Sequence, residues 1–262
     1  MSDAMAPIDE TRKALGPVGA CLPVSFTATP TADQLRDAAR RLERAGYGAV
    51  WTNEVLGKDA LVQLAVLLAA TERIVLGTCI ANIWARPAQT MNAAAAQLAQ
   101  AYPGRLALGL GAGYPEQATS VGREFGSPLA TMRDYLDQMD AVTWPPAPDA
   151  PYPRIVAANG PKMLALAGEK AHGAFPAGLP PEFTAQARAA LGPDKLLVVG
   201  VSLAADSSAA QHDYSEIGAL VREHLRVGAD HVALLAPVGG DFATGVRALE
   251  ELGPMLAARA CG

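Results

Sequence analysis

The sequence predicts an α/β fold, a (β/α)8 TIM barrel, and three observations carry that reading. Strand-like and helix-like segments alternate along the chain from Val18 onward. The strand-like runs are continuously apolar rather than alternating, which suits a parallel sheet covered on both faces. Eight such βα units fit a single domain spanning residues 1–262, whereas a doubly wound open sheet generally uses fewer. Composition agrees. Half the residues are hydrophobic and 18% are charged, enough for a large core and too apolar for a disordered chain or a coiled coil. Aromatics make up 5% and alanine about a fifth of the chain, so small side chains let helices and sheet approach closely.

Val18–Leu22 forms the first β-run and ends at Pro23. Thr31–Ala45 follows as an amphipathic helix. Thr31 and Gln34 make a capping box, Leu35, Ala38, Ala39 and Leu42 share one face, and Gly46 stops it. Gly48–Thr52 is the second strand and Asp59–Thr71 the second helix. Strand Ile74–Ile80 leads to helix Pro87–Ala101, with Pro87 suited to the first helical turn. Strand Leu106–Leu110 precedes helix Leu129–Val142, and strand Ile155–Ala158 precedes helix Pro161–Ala171. The remaining units pair Ala174–Phe175 with helix Phe183–Leu191, Leu196–Leu203 with Glu216–Val227, and His231–Leu235 with Phe242–Ala258. The proline-rich Trp144–Pro153 reads as an extended connector and Ala204–Asp213 as a loop.

A formal net charge of −5 leaves no basic excess to neutralise phosphates, so a nucleic-acid partner is excluded. Cys21, Cys79 and Cys261 are too widely spaced for a zinc site and odd in number for a disulfide framework; His172, His212, His224 and His231 show no ligand spacing. No metal is expected. The longest apolar run, Leu61–Ala70, is too short to span a bilayer, and the acidic N-terminus lacks the apolar core of a signal peptide. These features predict a soluble, cytoplasmic protein with no membrane partner.

In such a barrel the residues just after each strand line the active face. They are 23–26, 53–54, 80–82, 111–116, 159–162, 177–178, 204–205 and 237–240. Asn53 and Glu54 place an amide and a carboxylate at the mouth, where Glu54 can exchange a proton or orient a ring, or simply cap a helix. Gly109-Leu110-Gly111-Ala112-Gly113 fails the dinucleotide fingerprint because Tyr114 occupies the third glycine position; small residues there suit close approach of a ring or a backbone. Asn159-Gly160-Pro161-Lys162 starts a helix whose free N–H groups and lysine can face an anion, and equally reads as an ordinary helix start. Ala177 and Gly178 offer a second backbone approach to a phosphate. Arg86 reads as the structural partner of an acid such as Glu54 or Glu116, and Cys79 as a small buried residue rather than a nucleophile.

Taken in order, three stretches resemble the luciferase-like oxidoreductase superfamily, and within it the actinobacterial branch dependent on the deazaflavin coenzyme F420. They are Gly77-Thr78-Cys79-Ile80-Ala81-Asn82 with Arg86-Pro87, the glycine stretch 109–113 after Arg105, and Ala158-Asn159-Gly160-Pro161-Lys162-Met163-Leu164 with Ala171-His172-Gly173. The resemblance runs from about Val18 to Pro237. It implies a cofactor at the C-terminal face of the barrel, with a non-prolyl cis peptide at Cys79–Ile80 supporting the ring. Asn53, Asn82 and Gln117 match ring-side positions, and Asn159, Gly160, Pro161, Lys162, Ala177 and Gly178 match the phosphate side. Glu54 is the implied proton partner, and Tyr114, standing where some members carry a catalytic Glu, can donate a hydrogen bond. The implied activity is hydride transfer between F420 and a small organic substrate, by a homodimer. An FMN-dependent monooxygenase and a non-catalytic flavin- or ligand-binding barrel are the alternatives. One region departs from the family: Ala204–Ser215 is short for the helical excursion that follows the seventh strand, so the region between strands 7 and 8 is shortened.

Overall fold

The apolar runs form a ring of parallel strands in a computed structural model that describes residues 8–25, 28–55, 57–203 and 214–257. The strands are β1 (Val18–Cys21), β2 (Ala49–Thr52), β3 (Val75–Thr78), β4 (Ala81–Asn82), β5 (Leu106–Gly111), β6 (Arg154–Val156), β7 (Gly173–Ala174), β8 (Leu196–Ser202) and β9 (His231–Leu235). Every strand pair is parallel; the order is β3-β2-β1-β9-β8-β7-β6-β5-β4, and the β3–β5 pairing closes the ring. β3 and β4 are two halves of one stave, so the nine segments make the predicted eight-stave (β/α)8 barrel.

The break in that stave is a one-residue bulge. Gly77 pairs with Ala107 and Ala81 with Leu110, so the stave advances four residues while β5 advances three. The extra residue lies around the cis peptide bond Cys79–Ile80, which the family resemblance implied. The glycines of β5 make room for it. A Cβ on Gly109 would lie 2.1 Å from the Thr78 carbonyl oxygen, and one on Gly111 would lie 2.4 Å from Ile80 Cδ1. Thr78 closes the junction: its hydroxyl donates to the Gly109 carbonyl (2.6 Å) and accepts from the Gly109 N–H (2.9 Å).

The intervening helices are α2 (Ala32–Arg44), α3 (Ala60–Leu68), α4 (Ala88–Ala101), α5 (Pro115–Thr119), α6 (Pro128–Asp140), α7 (Pro161–Lys170), α8 (Pro181–Leu191), α9 (Tyr214–Arg226) and α10 (Phe242–Ala257), after an N-terminal α1 (Ile8–Leu15). The predicted capping box at the start of α2 forms, with Gln34 N–H to Thr31 Oγ1 at 3.2 Å and Thr31 N–H to Gln34 Oε1 at 2.8 Å. Pro87 sits one position earlier than expected, as the N-cap of α4 in extended conformation. α1 and the short α5 were not expected from the sequence. Residues 204–213, which carry most of the shortened region, lie outside the described residues, as do Phe26 and Cys261. No helix among the described residues is long and apolar enough to cross a membrane.

Two cores follow from this geometry. The larger lies between staves and helices, where Ala38, Ala39, Ala88, Ala95 and Ala99 let helix backbones close on the sheet. The smaller fills the barrel, with Leu15 of α1 packed among Trp51, Phe175, Val198 and Ile155. There His231 donates from Nδ1 to the Gly16 carbonyl (2.7 Å) and accepts at Nε2 from Trp51 Nε1–H (3.0 Å), which fixes a neutral ring. Burial pushes His231 down to about 4 from an ordinary 6.5, and burial does the same to His172, which accepts the Arg154 N–H at Nδ1. Both therefore bind protons more readily when unfolded. Their contribution is complete above about pH 6.5 and is lost as pH falls toward 4. Urea unfolding at pH 5 and pH 7 is expected to differ by about 2 kcal/mol for each histidine, with the protein weaker at pH 5.

Candidate functional site

The C-terminal rim of the barrel gathers the polar residues that the strand ends supply. Glu54, the second residue after β2, is buried together with Arg86, their side chains 3% and 10% exposed. Its Oε1 accepts the Ala60 N–H at the start of α3 (2.9 Å), and its Oε2 accepts the Asn82 N–H on β4 (2.8 Å). Both oxygens also accept from the Arg86 guanidinium, which further pairs with Asp59 (3.0 Å). The pairing of Arg86 with Glu54 is one the sequence suggested. One carboxylate thus joins the second stave, the bulged stave, the entry to α4 and the N-terminus of α3. Burying a carboxylate and a guanidinium is tolerable only with such saturation of their hydrogen-bonding groups.

The bulge is held from both sides. Cys79 N–H donates to the Thr52 carbonyl (2.8 Å), and the Ile80 carbonyl accepts the Glu54 N–H (3.2 Å). Asn82 Oδ1 accepts the Trp84 N–H (2.9 Å), and Trp84 Nε1 donates to the Ala112 carbonyl (2.6 Å). Gln117 folds back to accept the Tyr114 N–H (2.9 Å) over Gly113, whose φ of +60° and lack of Cβ permit the approach. Asn53 Oδ1 accepts from Lys58 Nζ (3.0 Å). Burial lowers the Lys58 ammonium below its ordinary value, while Cys21, Cys79 and Glu54 oppose that shift.

Two cavities meet at this lysine. One of about 120 Å³ is lined by Glu54, Lys58, Asn82, Trp84 and Gln117. The other, about 480 Å³, opens between β1, α2 and α3 and is walled by Val24, Pro30, Leu35, Val55, Val62 and Val66, with Lys58, Asp59 and Gln63 as polar neighbours. Tyr114 stands apart from both, 72% exposed on the rim.

A second cluster lies beyond β6 and β7. Asn159 locks the two strand ends together, donating to the Ala177 carbonyl (3.1 Å) and accepting the Ala177 N–H (3.0 Å). Gly160 is the N-cap of α7 and Pro161 its first residue, as expected; no side chain caps this helix start, and Lys162 is exposed beside it. No atom lies within 4 Å of where a Cβ would stand on Gly160 or Gly178. A free helix N-terminus, a lysine and two open glycine positions fit an anionic group, and the bulge with Asn82 and Gln117 fits the edge of a flat ring. These residues therefore suit a cofactor with a ring and a phosphate. Among the described residues no group of three or more His, Cys, Asp or Glu could hold a metal ion.

The structure thus assembles Asn53, Glu54, Cys79, Ile80, Asn82 and Gln117 on one side of the mouth and Asn159, Gly160, Pro161, Lys162, Ala177 and Gly178 on the other. Lys58 was missed in the sequence. Its signal was position, four residues after Glu54 on the same strand-end loop, but an isolated loop lysine is usually a solvated charge.

The chain is similar to known proteins in sequence and in fold. The family described as luciferase-like monooxygenase matches residues 17–227. A Mycobacterium tuberculosis protein named as a coenzyme F420-dependent oxidoreductase is 38% identical over 96 residues, 36% of this chain and 28% of that protein. The 5,10-methylenetetrahydromethanopterin reductase of Methanolobus tindarius is 29% identical over 170 residues, 57% of this chain and 52% of that one. The chain thus spans from about a quarter to about half the length of these curated relatives. In fold it is similar to an F420-dependent secondary alcohol dehydrogenase solved with an F420–acetone adduct, at TM-score 0.74 and 16% identity, covering 91% of this chain and 98% of that one. The F420-dependent tetrahydromethanopterin reductase of Methanopyrus kandleri gives TM-score 0.71 at 14% identity, covering 92% and 98%.

Proposed function

Because the chain belongs to the luciferase-like monooxygenase family, we propose that it is an F420-dependent oxidoreductase acting on a small organic substrate at the C-terminal face of the barrel. The observation that carries the reading is the placement, on one rim, of a bulged ring-side edge and an uncapped helix N-terminus with its lysine. The name of its Mycobacterium tuberculosis relative, a coenzyme F420-dependent oxidoreductase, favours F420 over FMN. Bound there, the deazaflavin supplies a two-electron carrier that takes up or gives a hydride.

The chain's own residues do the rest. Ile80, Asn82, Asn53 and Gln117 orient the ring edge, and Glu54 fixes their backbone by holding Asn82, α3 and Arg86 at once. The N–H groups at the start of α7, Lys162 Nζ and the open backbone at Gly178 bind the phosphate, with Asn159 holding Ala177 in place. Lys58 Nζ, donating to Asn53 Oδ1, stands at the junction of the two cavities, and the Tyr114 hydroxyl stands exposed on the rim. The valine-lined cavity excludes water and selects an apolar substrate body. The reading includes one domain across the chain and a homodimer formed through outer helices.

Purification from an F420-producing host tests the cofactor: the bound chromophore should have the absorbance and mass of F420, whereas FMN would support the monooxygenase alternative and overturn this reading. Lys162→Glu is expected to weaken F420 binding about tenfold, from loss of a charge-assisted contact. The effect should shrink as salt is raised, because Lys162 is exposed. An unchanged affinity would remove Lys162 from the phosphate site.

A further inference from the structure

We propose that Cys21 and Cys79 form an oxidisable dithiol in the floor of the barrel mouth, converted by a hydroperoxide into a disulfide that ties β1 to the bulge. The two lie far apart in sequence and on staves separated by β2. Side chains from alternate staves share one layer inside such a barrel, which is how residues of β1 and the bulged stave meet. Their sulfurs stand 2.8 Å apart, and both thiols are free. Cys21 is buried, whereas the Cys79 residue is partly exposed, so Cys79 is the more accessible of the two. The neighbouring Lys58 ammonium favours a thiolate there, although contact with Cys21 and burial together push the Cys79 thiol up. The reaction is accordingly slow, and excess peroxide is the suitable reagent.

The chemistry balances in two steps. The Cys79 sulfur attacks a peroxide oxygen; the S–O bond forms, the O–O bond breaks, and water or an alcohol leaves with the thiol proton. The Cys21 sulfur then attacks the resulting sulfenic sulfur; the S–S bond forms, the S–O bond breaks, and hydroxide leaves with the Cys21 proton as water. Two thiols lose two electrons and two protons, and the hydroperoxide gains them. The product joins the floor beneath the first stave to the residues beside Ile80. Neither step depends on which cofactor the protein binds.

The test uses the full chain, reduced, freed of reductant and exposed to excess hydrogen peroxide, with free thiols counted and digested peptides weighed. The peptides of Cys21 and Cys79 should be joined with the loss of two hydrogen masses, and at least two thiols should disappear. In Cys261→Ser both remaining thiols should be lost at the same rate. In Cys21→Ser the joined peptide should be absent, and Cys79 should be trapped by dimedone as a sulfenic acid. Three surviving thiols in the wild-type protein would overturn the proposal. So would a linkage made through Cys261, or equal sulfenic acid at Cys79 in the wild-type protein and Cys21→Ser.

Discussion

Glu54→Ala is expected to destabilise the protein by about 3–5 kcal/mol, because it strands a buried guanidinium. Arg86 is 10% exposed and would keep Asp59, itself half-exposed, as its ion-pair partner, with a weak contact to Met91 Sδ (3.5 Å). The N–H groups of Ala60 and Asn82 would lose their acceptors in the same stroke. Those two groups belong to α3 and β4, so the loss reaches the proposed ring side of the site as well as the fold. Glu54→Gln keeps the size and one acceptor but turns an amide NH2 toward Arg86 and the N–H of Ala60 or Asn82, so it should cost less while still disturbing the bulge. Urea unfolding measures the first effect and cofactor affinity the second. A Glu54→Ala protein of wild-type stability would mean that the pair is not buried as described.

Trp51→Ala should cost about as much, roughly 3–5 kcal/mol, for a different reason. Trp51 is fully buried inside the barrel, edge-on to Phe175 at 5.4 Å and bonded to His231. Its ring lies where a Cβ on Gly77 would stand, 2.4 Å from Cζ3, so the neighbouring stave is shaped around the indole. Truncation opens a cavity that rigid strands cannot collapse to fill. Trp51→Phe separates the two contributions: most of the volume stays, His231 Nε2 loses its donor, and a loss of about 1–3 kcal/mol is expected. Thermal or urea unfolding of both variants distinguishes packing from the hydrogen bond.

The fold was legible because eight apolar runs separated by helix-length segments admit few arrangements, and the strand positions agree with expectation to within a residue or two at most ends. Helix α1 was not, since Ile8–Leu15 carries only a few apolar residues and is held by tertiary contacts, including Arg12 to Asp230. The register slip that makes the bulge depends on two staves at once, so its position came from family resemblance rather than from periodicity. The Arg86–Glu54 pair was legible as two opposite charges near strand ends. What they hold was not, because the acceptor bonds from Ala60 and Asn82 are backbone contacts without a sequence signature. The lock between Asn159 and Ala177 was hidden in the same way. Cys79 was legible only as a small buried residue and Cys21 only as one of three widely spaced cysteines; their contact exists because a closed barrel brings alternate staves into one layer.

In the proposed function this rim binds the deazaflavin through the bulged edge and the start of α7. Parallel fluorescence titrations of the purified full chain with F420 and with FMN test it most directly. Saturation by F420 is expected at one equivalent per chain with a dissociation constant of about micromolar, and much weaker binding of FMN. Tighter binding of FMN, or failure of either cofactor to saturate the protein, would contradict it.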